Sequence, residues 1–483
     1  MERKASRENL LVFFLLITAC VLCWGIEISG LSVYTFSDFI VSVTYIVVLI
    51  YVIRSWSFFS IPSLFILMVG FFGVFGIIFT LLGFWDYSHY SSGFIDYYWP
   101  DQTRVNVAFL YQILLTTAYF VFCIFRPGKN NGFLSTDIHW YDKYFLSIGK
   151  TLFLLTTPLA LLNNIIEIVL VQAGGYASYY LGSSDSFFTS LLSPIVFLCN
   201  ASFYLFCAGK PEKEDFNILA ALFLVIALLD SLKGARGLLV IPVLFILYYY
   251  HRVYKVKLKP KHIFVLCIVA IAITSIYAYV REGFTPSSIG SLASQFFEQF
   301  ALSSNSISIV AMYDQFHSSM NNYGYPYIFE PIVRVYDVLT HSAVYSAGQT
   351  QEMISFRNSL SHQLSYCMNP SWYLAGANTG SNMVAEMSQF GSIGVALLSF
   401  AFCMFIQFLE KKWGEQSFLG FMLYPLFSQI LFAPRGSYFY DTYSLLRLLI
   451  MFCVFSLLAI WMRSRKLNRD LITDDGNRIR SVG

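Results

Sequence analysis

The chain has 483 residues, 57% of them hydrophobic, 18% aromatic and 12% charged, with a mean hydropathy of +0.61. Soluble domains carry about twice that charged fraction, and the recurring apolar blocks, each roughly 17–25 residues, match the length that crosses a bilayer as a helix. A soluble enzyme, a disordered chain and a disulfide-knit secreted module are excluded, and a net charge of +3 gives no reason to expect nucleic acid as a partner.

The N-terminal MERKASREN is basic and runs straight into LLVFFLLITACVLCW. No small-residue cleavage site follows, so a retained signal anchor is expected. Twelve spans are predicted, over 9–29, 34–53, 61–84, 105–126, 146–171, 188–208, 217–231, 238–250, 262–280, 382–408, 417–434 and 443–462. Nearly all are apolar all round, as helices in lipid must be. The expected fold class is an all-α integral membrane protein with about 12 transmembrane helices and a large helical outer loop between spans nine and ten. Residues 1–281 hold spans one to nine, 282–381 form the cap loop, 382–462 hold spans ten to twelve, and 463–483 are a tail. Eight of the nine cysteines fall inside apolar blocks and only Cys367 lies in a long polar stretch, so packing thiols are expected even for the C-x-x-C pair Cys20 and Cys23.

On this arrangement 22 of the 31 basic residues share one side with 12 acidic ones, whereas the other side has 7 basic and 16 acidic. Cytoplasmic loops carry the Lys and Arg excess, so both termini are expected in the cytoplasm and the 282–381 segment outside. A segment that long is expected to be folded and functional.

Basic residues avoid the outer side, so those found there need a reason. Arg236 lies in SLKGARG, Arg281 in YVREGF and Arg435 in FAPRGS, all at one expected membrane depth, with Lys233 close to the first. Each alone suits pairing with Asp230, Glu282 or Asp441, or with a lipid phosphate. Three together favour an anionic substrate, because guanidinium forks bind phosphate oxygens in pairs and stay charged anywhere. Arg447 and Asp441, at the start of the last span, are expected to form structural ion pairs with a neighbouring helix.

The outer segments are rich in aromatics beside Asp, Asn and Ser, as in WDYSHYSSGFIDYYW at 85–99 and YGYPY at 323–327. Such a mixture suits sugars, although interfacial belts also enrich Trp and Tyr. Candidate general bases on this side are Glu386, His341, Asp337 and Glu330. Glu386, in TGSNMVAEMSQFGSIG, should face a cavity or a partner, because a carboxylate facing lipid is costly. His341, in DVLTHSAVYS, is suited to abstract or shuttle a proton. No HExxH, Walker loop, dinucleotide fingerprint or metal-spaced acidic pair occurs, so no metal or other cofactor is expected.

The multispanning layout, the SLKGARG turn, the large outer loop and GANTGSNMVAEMSQFGSIGVALLSF together resemble the O-antigen or capsule repeat-unit polymerase family (Wzy). The residue-level likeness is confined to about 231–238 and 376–395. A family pattern of Arg, ten residues and Gly is not matched, since Arg281 precedes Gly290 by nine positions. The resemblance implies a metal-independent glycosyltransferase of the bacterial inner membrane that joins undecaprenyl-pyrophosphate-linked glycans on the periplasmic face. It implies roles for Arg236, Arg281 and Arg435 at the pyrophosphate, and membrane lipid, a chain-length regulator and a flippase as partners; on the residues alone Lys233 joins the pyrophosphate set, and Glu386 or His341 is the catalytic base. A flippase for lipid-linked oligosaccharide, or an O-antigen ligase, is the alternative.

Overall fold

The computed structural model describes residues 2–30, 33–84, 87, 89–91, 96–125, 140–174, 187–233, 237–256, 269, 306–320, 325–346, 348–376, 378–439 and 441–480. In chain order the first eight helices are α1 Glu2–Ser29, α2 Tyr34–Trp56, α3 Ile61–Leu81, α4 Asp101–Ile124, α5 Trp140–Gly174, α6 Phe187–Ala208, α7 Lys213–Ser231 and α8 Gly237–Arg252. Shorter helices follow: α9 Ile307–Phe316, α10 Glu330–Thr340, α11 Ser342–Ser346, α12 Gln351–Phe356, α13 Leu360–Met368, α14 Pro370–Leu374 and α15 Met383–Ser388. The chain closes with α16 Gly391–Lys412, α17 Ser417–Phe432 and α18 Thr442–Arg480.

Among the described residues nine helices are long and apolar enough to cross a membrane. Of the remaining expected spans, the seventh is α7, whose first turn carries Lys213, Glu214 and Asp215, and the eighth is the short α8. The ninth lies outside the described residues except for Val269. Leu11, Phe14 and Leu15 on α1 and Leu449, Ile450 and Leu457 on α18 are exposed, an arrangement suited to lipid rather than water.

Two features correct the sequence reading. A small antiparallel ribbon, β1 His89–Ser91 with β2 Asp96–Tyr98, pairs Tyr90 with Tyr97 and is the one sheet among the described residues. The expected tenth span, 382–408, is two helices. Gly391 sits at φ +70° between α15 and α16, in the left-handed region that glycine enters without steric cost, so the membrane helix starts at Gly391 and Glu386 precedes it.

The cap end of the bundle is built on close backbone contacts. At Gly73 in α3 a Cβ would come 2.6 Å from the Tyr111 ring of α4. The missing side chain lets Tyr111, itself fully buried, reach across to the loop ahead of α15. At the opposite end Glu410 of α16 accepts the Ile61 N–H at 3.0 Å and the Tyr248 hydroxyl at 3.2 Å, helping to cap the start of α3.

Candidate functional site

The site grows from Asn382. Its side-chain oxygen accepts the Val384 N–H at 2.8 Å and so starts α15. Its amide nitrogen donates to the Tyr111 hydroxyl at 3.3 Å and to the Ser306 carbonyl at 3.1 Å. Ser306 in turn donates to the Pro434 carbonyl at 3.0 Å, the residue before Arg435. Asn382, Val384, Tyr111, Ser306 and Pro434 are all buried, so the bonds form in a low-dielectric setting where they hold geometry well.

Glu386 completes the clasp from α15. Its Oε1 accepts the Ser381 hydroxyl at 2.7 Å, and its Oε2 accepts the Ser437 hydroxyl at 3.0 Å and the Tyr438 N–H at 2.8 Å. At 3% exposure it faces protein donors rather than an open cleft. Burial raises its pKa, the three donors pull it back, nearby Glu330 raises it again, and the carboxyl is pushed up to about 7. Arg435 is exposed at the tip of this turn, with its guanidinium 5.8 Å from the centre of the Phe72 ring. Among the described residues no carboxylate lies within ion-pair distance of it.

The cap packs over this turn through α10. Tyr327, just before it, donates its N–H to the Gln389 side chain at 2.7 Å. Glu330 pairs with Arg357 at 3.1 Å, and Arg334 reaches Asp441 at the start of α18 at 3.8 Å. Asp337, buried nearby, has its carboxyl raised by burial and by Glu330. His362 donates to or accepts from the Tyr373 hydroxyl at 2.9 Å, and burial first, then Arg357 and Arg334, lower its pKa to about 3. The ring is neutral at physiological pH. Arg334 and Arg357 were legible in the sequence only as basic residues on an acidic side.

The expected site residues fall in different places. Glu386 and Arg435 share one clasp. His341, at the end of α10, stacks on Phe356 with centroids 4.4 Å apart, and its Nδ1 lies 2.8 Å from the Thr340 hydroxyl. No hydrogen bond joins it to Glu386 among the described residues. Arg236 and Arg281 lie outside the described residues. Lys233 corrects the expectation of a free phosphate ligand. It is 3% exposed, pairs with Glu167 and, at 2.6 Å, with Asp230, and donates to Asn164 at 2.9 Å. Three partners saturate three ammonium hydrogens. Arg447 is also corrected: it lies over the Phe197 ring at 4.0 Å, while Asp441 takes Arg334 and caps α18 through the Tyr443 N–H.

Taken chemically, the clasp presents one exposed guanidinium on a rigid turn beside a polar, arginine-containing cap. Such a group stabilises anionic oxygens without needing to reorganise. Compared with known proteins, residues 10–469 match the family model for O-antigen polysaccharide polymerase Wzy. No curated protein and no solved structure matches the chain.

Proposed function

The chain belongs to the O-antigen polysaccharide polymerase Wzy family, and from that premise we propose that it joins repeat units carried on undecaprenyl pyrophosphate, at the periplasmic face of the bacterial inner membrane. The family match over nearly the whole chain is the observation that carries this reading. In the reaction, a hydroxyl of the acceptor glycan attacks the anomeric carbon of the donor glycan. The bond from that carbon to the pyrophosphate oxygen breaks, and its electron pair leaves with the pyrophosphate. The hydroxyl proton passes to a base.

Pyrophosphate is a good leaving group, so charge stabilisation and alignment of two large substrates are the main demands. Arg435 is the guanidinium suited to the leaving group, with Arg236 and Arg281 as its proposed companions. Glu386 acts on Arg435 as a positioning residue, since its Oε2 holds Ser437 and Tyr438 in the turn that follows while its Oε1 is held by Ser381. His341, half-buried on the cap, is the proposed proton acceptor. The test is the surface polysaccharide of a deletion strain. A polymerase leaves single repeat units on the surface. Long glycan retained on the lipid carrier would mean a ligase, and single units trapped on the cytoplasmic leaflet would mean a flippase.

A further inference from the structure

Helix α10 is amphipathic in the opposite sense to a helix in water. Glu330, Arg334, Asp337 and His341 recur at helical spacing on one side. This polar side is turned into the protein, with Glu330 and Asp337 buried and Arg334 and His341 half-buried. Ile332, Tyr336 and Leu339 share another face with Phe329, just ahead of the helix. All four are exposed, Tyr336 at 66% and Leu339 at 77%. A helix on a watery surface does the reverse, burying its apolar stripe and solvating its charges. Single exposed apolar side chains need no explanation, but a contiguous stripe marks a surface with an apolar partner.

The anchors of α10 identify that partner. Ahead of the helix, the Tyr327 N–H donates to Gln389, close to Gly391 where α16 begins. Phe329 stacks on Phe439 with centroids 6.1 Å apart, and Arg334 reaches Asp441, next to the first residue of α18, at 3.8 Å. Both α16 and α18 are long and apolar enough to cross a membrane. Their exposed apolar surfaces begin at these anchors, with Phe390 and Ile393 at the start of α16 and Tyr443 and Leu446 at the start of α18. Ties to the cap-side ends of two spans lay α10 across the bilayer surface, and its stripe continues the apolar surface of the spans. The stripe offers a protein partner no charge to pair with, because Glu330, Arg334 and Asp337 are on the other side. Lipid chains need none.

We propose that α10 is an interfacial helix, with Phe329, Ile332, Tyr336 and Leu339 inserted among the lipid chains of the leaflet on the cap side. Such a helix lies in the plane of the interface with its apolar face at the boundary of headgroups and chains. The ring of Tyr336, apolar with one polar tip, suits that boundary. Phe439 and Asp441, which hold α10, follow the Arg435 turn closely in sequence, so inserting α10 fixes that turn at headgroup depth. Insertion does not depend on the polymerase reading. On that reading, it lets a pyrophosphate meet Arg435 while its lipid chain stays in the bilayer.

The test replaces Tyr336 or Leu339 with the photoreactive p-benzoylphenylalanine in the full-length protein, reconstituted in nanodiscs of phosphatidylethanolamine and phosphatidylglycerol. Leu449, exposed on α18, is replaced likewise as the lipid-facing reference. Irradiation should add the mass of one phospholipid at both α10 positions, as at the reference, with the new bond on an acyl chain. Three outcomes overturn insertion: a crosslinked dimer, a bond to residues 282–305 of the same chain, or no adduct on α10 while the reference labels. As a second measurement, Leu339→Glu should lower the thermal midpoint in the same nanodiscs, because a charge among lipid chains is costly. An unchanged or raised midpoint, the result for an apolar side chain facing water, overturns insertion too. None of these readouts involves catalysis. Their failure leaves the polymerase reading standing, and failure of that reading in the deletion strain leaves insertion standing.

Discussion

Tyr438 donates its backbone N–H to Glu386 Oε2 at 2.8 Å, and this bond locks the chain three residues beyond Arg435 onto a short helix that precedes a membrane span. A residue in the turn between two spans is thereby fixed from a third element distant in sequence. The clasp turns an exposed arginine into a preorganised one.

Titration of Glu386 should set opposite trends for activity and stability. Its carboxyl titrates near 7 when folded against the ordinary 4.5. Between those values the folded state binds more protons than the unfolded one, so stability falls as pH rises through that window. Activity should rise over the same window, because only the carboxylate accepts all three donors. Polymer yield from membranes assayed between pH 5 and 8 should show this rise, and Glu386→Gln should be both weakly active and flat. A rise of equal size in the Gln variant would remove Glu386 from the mechanism.

Arg435→Ala should reduce polymer formation by about 10²–10³-fold, the usual effect of losing one preorganised oxyanion donor. Lys should rescue poorly, because a point charge lacks the bidentate fork. Stability should change by less than about 0.5 kcal/mol, as for most exposed positions. Polymer length profiles on gels, paired with protein abundance, separate the two effects.

Lys233→Met should behave in the reverse way. Removing the ammonium leaves Glu167 and Asp230 facing each other without their cation. The loss should be about 2 kcal/mol, less than for a fully buried pair because both carboxylates are partly exposed. Abundance and thermal midpoint should drop, and the activity of the protein that remains folded should stay near that of wild type.

His362 predicts an acid-sensitive cap. Its folded pKa of about 3 lies below the ordinary 6.5, so the unfolded state binds the extra proton between these values. Stability is full above 6.5 and is lost as pH falls through that window. Thermal midpoints measured from pH 7 to 4 should fall less steeply for His362→Gln than for wild type.

Reporter fusions after Lys257 and after Ser318 should report cytoplasm and periplasm, as expected from the charge distribution. The same compartment for both would misplace the cap and remove the periplasmic site.

The sequence by itself determined the class of this protein. Hydropathy over twenty-residue stretches depends only on composition, and the bilayer rewards it locally, so α1 to α6 and α16 to α18 were legible residue by residue. The polymerase family was likewise readable from layout and local motifs, and the match over 10–469 bears it out. What a polar residue pairs with is a different quantity, because it depends on chain segments far apart in sequence. Lys233 looked like a phosphate ligand beside a glycine turn, yet Glu167, 66 positions earlier, neutralises it from a neighbouring helix. Asp441 and Arg447 looked like candidates for structural ion pairs with a neighbouring helix; the cap supplies Arg334 to the first, as expected, but α6 supplies the Phe197 ring to the second. Glu386 was singled out because a carboxylate there needed a partner, and only the tertiary structure named Ser381, Ser437 and Tyr438. The break at Gly391 was hidden for a related reason: Met383–Ser388 runs into an apolar block, and only the backbone conformation of Gly391, at φ +70°, separates it from the membrane helix. Burial in lipid is a one-residue property, whereas satisfying a buried charge takes at least two, and the second is chosen by the fold.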